Sequence, residues 1–129
     1  MLKTLTMSDF KAIVEKETVG QCPQQYILAL SDTLNVVSGK WKLPIVASLL
    51  KGNNRFKDLQ ESIGKITPRM LSKELKELEV NGMVRRLVYD QTPVLIEYKL
   101  TESGKSIISV IDAMIDWGLT HRKDVMKKE

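Results

Sequence analysis

Arg69, Ser72, Lys73 and Lys76 fall within one short stretch. At about 100° per residue they gather on a single flank of a helix. Arg and Lys there can address guanine O6 and N7 or a backbone phosphate, Ser can hydrogen-bond either, and the first turn of a helix favours an anion. The same spacing also arises on a merely solvated helix face, so the neighbouring elements must decide. Other chemistries have less to draw on. His121 and Cys22 are the only residues of their kinds, which cannot supply the usual set of metal ligands. No glycine-rich phosphate loop and no closely spaced acid pair in a pocket-like context is present. The sequence therefore predicts no enzyme, no metal site and no cofactor.

The helix that positions those cations has both ends written into it, over residues 67–82. Thr67 can cap it, Pro68 sits at the first helical position where its missing donor costs nothing, and Gly82 after Asn81 supplies a left-handed residue to close it. Leu71, Leu75 and Leu78 repeat at i, i+4, i+7 and must be buried, while Glu74 and Glu77 lie on the flank away from the cations. Upstream, Asn53 to Phe56 reads as a turn, and Lys57 to Ile63 as a short helix stopped by Gly64. Two short helices joined by a glycine-containing turn, the second bearing the basic flank, make a helix-turn-helix. Arg55 and Lys57 join the candidate nucleic-acid contacts on that ground.

After Gly82 the hydrophobic period drops to about 2. Met83–Tyr89 and Val94–Leu100 read as strands around the turn residues Asp90 to Pro93, a two-stranded wing over residues 83–100. Arg85 and Arg86 at its base can reach phosphate or simply face solvent. A helix over 101–126 follows, capped by Thr101. Ile107, Ile111, Met114, Ile115 and Trp117 spread over more than a narrow stripe, which requires two surfaces: the domain itself and a second subunit. A terminal helix folded wholly into its own core is the alternative. Earlier in the chain, residues 1–21 read as an arm or short helix. A helix over Gln24–Val37 presents Ile27, Leu30, Leu34 and Val37 as its inner side, and another runs from the Lys40–Pro44 segment to Gly52. Trp41 has two readings, helix packing or ligand stacking.

A length of 129 residues fits one domain. The net charge of +4 permits a polyanionic partner without demanding one. Its distribution says more: Lys40, Lys42, Lys51, Arg55 and Lys57 occur between Thr33 and Lys57 with no carboxylate among them. A lone cysteine excludes an internal disulfide framework, and neither a signal peptide nor a bilayer-spanning apolar run is seen. A cytoplasmic protein without membrane contact is the expectation.

Taken together, several motifs resemble those of the HxlR-type winged helix-turn-helix regulators, in the same order and at matching spacing. These are Cys22-Pro23, Gly39-Lys40-Trp41-Lys42, Arg55-Phe56-Lys57-Asp58-Leu59, Ile66 to Ser72, Leu75 to Glu79, Gly82-Met83-Val84, Glu97 to Thr101 and Asp116-Trp117-Gly118. The resemblance covers roughly residues 22–121, and 22–129 is read as the winged helix-turn-helix domain. It implies an α+β, mostly helical fold with N- and C-terminal dimerisation helices. It also implies a bacterial or archaeal homodimeric transcription regulator that binds double-stranded DNA at a pseudo-palindromic operator. DNA contact is carried over to Thr67, Pro68, Arg69, Ser72, Lys73 and Lys76, and backbone contact to Arg55 and the wing. Leu95 stands where the family often carries Arg or Lys, so no charged contact is carried over to the wing tip. The chain before Cys22 is longer than the family leads one to expect.

The resemblance further implies that Cys22 could sense oxidants or electrophiles. At the N-cap before Pro23, the helix dipole would stabilise a thiolate; the alternative is a small capping or packing residue. No small-molecule effector is indicated. The competing reading of the whole chain is a winged-helix protein-interaction module without specific DNA binding.

Overall fold

The computed structural model describes residues 24–127 together with Lys11 and Glu15. Contacts divide the chain into two compact units, Met1–Val37 and Ser38–Glu129. That division falls later than the one between residues 21 and 22 read from the sequence.

In the first unit, α1 spans Gln24–Val37, the range its spacing predicts. The expected inner stripe is not buried: Ile27, Leu30 and Leu34 are 49%, 56% and 62% exposed. The periodicity marks a hydrophobic face and does not by itself say what lies against it.

The second unit contains α2 (Lys42–Leu50), α3 (Phe56–Ile63), α4 (Pro68–Val80), β1 (Val84–Tyr89), β2 (Leu95–Leu100) and α5 (Glu102–Lys127). Its core gathers Ile45, Val46 and Leu49 from α2, Leu59 from α3, and Leu71, Leu75 and Leu78 from α4, with Ile66, Met83, Val84 and Ile107 closing around them. The hub is α2, which packs on α3, α4 and β2, while β1 lies against α4 and β2 reaches α3 and α5. Pro44 lies in the first turn of α2, where no intrahelical donor is lost.

β1 and β2 pair antiparallel from Val84↔Leu100 to Tyr89↔Leu95. The ladder gains one more bond where the Tyr98 N–H donates to the Asn54 carbonyl at 2.7 Å, tying the wing to the turn before α3.

The wing and α5 meet at a tight crossing. The Thr101 N–H donates to the Met83 carbonyl at 3.0 Å. The Thr101 hydroxyl donates to the Gly82 carbonyl at 2.6 Å and accepts from the Gly104 N–H at 2.9 Å, so the expected cap is also a hook. Gly104 lies so close beneath that a Cβ there would collide with the Met83 carbonyl oxygen and press on Leu100 Cδ2 at 3.2 Å. Alanine in a helix normally gains up to about 1 kcal/mol over glycine. Here the collision with backbone outweighs that gain. Gly104→Ala is expected to destabilise the protein by about 1–3 kcal/mol, as overpacking does. The measurement is the midpoint of denaturant unfolding, with the slope unchanged.

Candidate nucleic-acid interface

α3 ends at Gly64, whose φ of 94° only glycine adopts without strain. Lys65 and the buried Ile66 lead directly into Thr67. Its side-chain oxygen accepts the Met70 N–H at 3.1 Å, and Pro68 occupies the first turn, as the sequence predicts. At the far end, the Met83 N–H donates to the Leu78 carbonyl at 2.9 Å and the Gly82 N–H to the Glu79 carbonyl at 3.0 Å. This pair of bonds is a Schellman closure, with Met83 and Leu78 both buried behind it. Both ends of α4 are thus fixed, and its leucines are at most 1% exposed.

With that face buried, Thr67, Pro68, Arg69, Ser72, Lys73 and Lys76 are arrayed on the remaining surface of the helix, and Arg55 and Lys57 are exposed at the start of α3. Lys76 has one partner, Glu79 at 3.3 Å, in a surface pair worth roughly 0–1 kcal/mol that a phosphate can displace. In the wing, Arg85 and Arg86 are both exposed, but the pleat sends them to opposite faces. Arg86 shares the face of Val84 and stands opposite Tyr98, whereas Arg85 stands opposite Lys99. The two arginines grouped from the sequence therefore cannot line one surface together. Nearer the tip, the Tyr89 phenol is held above its ordinary 10.0, mainly by a hydrogen bond with Glu97 and then by burial.

One cation of the basic segment points inward. Lys42, the first residue of α2, is 7% exposed. Its Nζ donates to Glu74 Oε2 at 2.9 Å and to Glu77 Oε2 at 2.8 Å, clamping α4 to α2. The hydrogen bond to Glu77 raises the Lys42 ammonium above its usual 10.5 against the pull of burial, with Glu74 adding to the rise. The hydrogen bond from Lys42 and its charge hold the Glu77 carboxyl below 4.5, and Lys73 adds a smaller pull. Nothing in the local pattern points to this cluster, because its members are 32 and 35 residues apart in sequence.

Of the residues expected at a subunit interface, Ile107 belongs instead to the core of its own unit, at 9% exposed. It falls early in α5, where the helix still lies over the wing crossing. Ile111 is half-buried, and Met114, Ile115 and Trp117 are 40%, 52% and 67% exposed. The Trp117 ring stacks on His121 with centroids 4.6 Å apart. Trp41 is half-buried or more, with the Lys40 ammonium 4.8 Å from its ring centroid. Cys22 lies outside the described residues. Among those residues, no group of His, Cys, Asp and Glu is arranged to hold a metal, and no helix is long and apolar enough to cross a membrane.

Residues 36–126 match the model of the HxlR-like helix-turn-helix family. The chain belongs to that family. An HTH-type transcriptional regulator of Methanothermobacter thermautotrophicus is 42% identical over 94 residues, 73% of this chain and 72% of its own. The crystal structure of YtcD, a transcriptional regulator of Bacillus subtilis, superposes with a TM-score of 0.65 at 38% identity, covering 73% of this chain and 96% of that one. The redox regulator HypR in its reduced form gives the same TM-score, 0.65, at 38% identity over 78% of this chain and 99% of that one. This HxlR-type protein is accordingly a DNA-binding transcriptional regulator with a winged-helix fold, as its motifs imply.

The Lys42 cluster links stability to pH on two limbs. Glu77 has a folded value below 4.5, so its contribution is complete above 4.5 and is lost as pH falls through the folded value. Lys42 has a folded value above 10.5, so its contribution is complete below 10.5 and is lost as pH rises through the folded value. Glu77→Gln is expected to flatten both limbs in a series of urea midpoints against pH. An acid limb identical to wild type would show that Glu77 is not linked to folding.

Proposed function

We propose that two copies of the chain act as a homodimer on a pseudo-palindromic operator, each presenting α4 to a major groove. The observation that carries this is the outward row of Arg69, Lys73 and Lys76 on a helix whose opposite face is fully buried and whose ends are both capped. A helix held so firmly from behind offers its cations in a fixed register, which base reading requires. Arg55 and Lys57 would take phosphates beside it, together with one wing arginine. The exposed Met114, Ile115 and Trp117 of α5 are suited to cover one another across a subunit boundary. Half-sites would then lie one helical turn, about 34–36 Å, or a multiple of it apart. The action is binding rather than catalysis and requires no cofactor.

Arg69→Ala or Lys73→Ala is expected to cost on the order of 1–3 kcal/mol and to relax preference at one base position if that residue reads a base. A uniform loss across sequences would reassign it to phosphate. Titration of the protein's own upstream region at several salt concentrations makes the measurement, since a DNA binder loses affinity steeply with salt and a hydrophobic interaction module does not.

The redox-regulator relative favours a second element, response to oxidants through Cys22. The thiol precedes Pro23 at the expected start of a helix, where a thiolate is stabilised. Diamide is expected to release wild-type protein from its operator and to leave Cys22→Ser bound. Equal release of both would sink this element alone.

A further inference from the structure

Glu77 stands between two lysines. Lys73 lies one helical turn before it on α4, the i, i+4 spacing at which such side chains pair on a helix surface. Yet Glu77 Oε2 lies 2.8 Å from Lys42 Nζ, on another helix, and Lys73 makes no ion pair among the described residues. The cause lies in the surroundings of Lys42. It is tethered by a second carboxylate, Glu74 Oε2 at 2.9 Å, and the side chains of Lys42 and Glu74 are only 9% and 13% exposed. That shielded pair is weakly screened and holds the ammonium at a fixed point, whereas Lys73 projects into water on a flexible stem. Glu77 is 43% exposed and, unlike Glu74, borders the cationic flank rather than lying away from it as read from the sequence, since it falls within about 40° of Lys73 around the helix. Released from Lys42, its carboxylate would have Lys73 as the nearest remaining cation and would present a negative charge toward any phosphate approaching α4.

We infer that Lys42 is a positioning residue for DNA binding: by holding the Glu77 carboxylate on the rear flank of α4, it leaves Lys73 free to meet the nucleic acid. This rests on the reading of α4 as the DNA-contacting helix. Lys42 touches no nucleic acid itself and acts through Glu77.

The test is binding of the protein's own upstream DNA by fluorescence anisotropy over a range of salt concentrations, with folding of each variant checked by circular dichroism. Lys42→Met keeps the apolar stem and removes the ammonium. It is expected to weaken binding about fivefold or more, the low end of the effect of removing one lysine from a protein–DNA interface. It should also make the salt dependence shallower by about 0.9 in the log–log slope for each phosphate that is no longer neutralised. Adding Glu77→Gln to Lys42→Met should restore both quantities, because the neutral amide cannot hold Lys73, although it does not rebuild the clamp. In a Lys73→Ala background, Lys42→Met should change little further. Glu77→Gln alone, which keeps the Lys42–Glu74 pair, should bind at least as tightly as wild type. Losses from Lys42→Met and Lys73→Ala that multiply, or failure of Glu77→Gln to rescue folded Lys42→Met, would overturn the inference. So would weakened binding by Glu77→Gln alone, an outcome that stays decisive even if Lys42→Met does not fold. Wild-type protein without salt-sensitive binding would overturn the DNA-contacting reading of α4 first and this inference with it, and the first titration distinguishes that case.

Discussion

Burial of three leucines on α4 is the constraint from which the rest of this structure follows. Leu71, Leu75 and Leu78 are essentially removed from water, and each side chain so buried is worth about 1.5–3 kcal/mol of transfer free energy. A helix of 13 residues is too short to be stable alone in water, so it exists because that face is covered. Once the leucines are fixed, the 3.6-residue period leaves no freedom in where Arg69, Lys73 and Lys76 point. Function here is the polar remainder of a packing solution: the cations stand outward because the leucines stand inward.

The ends of α4 are secured by different means. Its N-terminus is held locally, by Thr67 and Pro68, and is legible in a few residues of sequence. Its C-terminus is closed through Met83, which is also the residue preceding β1 and the acceptor for Thr101. Helix, wing and α5 therefore share one backbone junction. Lys42 adds a polar attachment to the apolar one, and the desolvation of its ammonium is offset only because two carboxylates meet it.

Legibility follows range in sequence. The caps of α4, the stop at Gly64, the strand pair and the Thr101 cap are all local signals, and each appears within a residue or so of where composition and period put it. What escapes is non-local. Lys42 looks like one more member of a basic run, since nothing nearby shows that Glu74 and Glu77 fold onto it. Gly104 looks like an ordinary residue in a first helical turn, because the carbonyl it must avoid belongs to Met83. Ile107 reads as part of an outward apolar stripe, although the wing crossing buries it. The stripe on α1 is legible as apolar but not as uncovered, because periodicity states that a face is hydrophobic and says nothing of what lies against it.

The junction at Met83 also governs how the length of this chain can vary. Asn81, Gly82 and Met83 complete the helix closure, and the ladder begins at Val84, so no residue between helix and wing is spare. An insertion or deletion there would shift β1 by one pleat and turn Arg85 and Arg86 to each other's faces. Between Tyr89 and Leu95, by contrast, the chain is exposed and an added residue only lengthens a turn. The spacing between reading helix and wing is thus a fixed ruler, while the reach of the wing is the dimension left open to evolutionary adjustment.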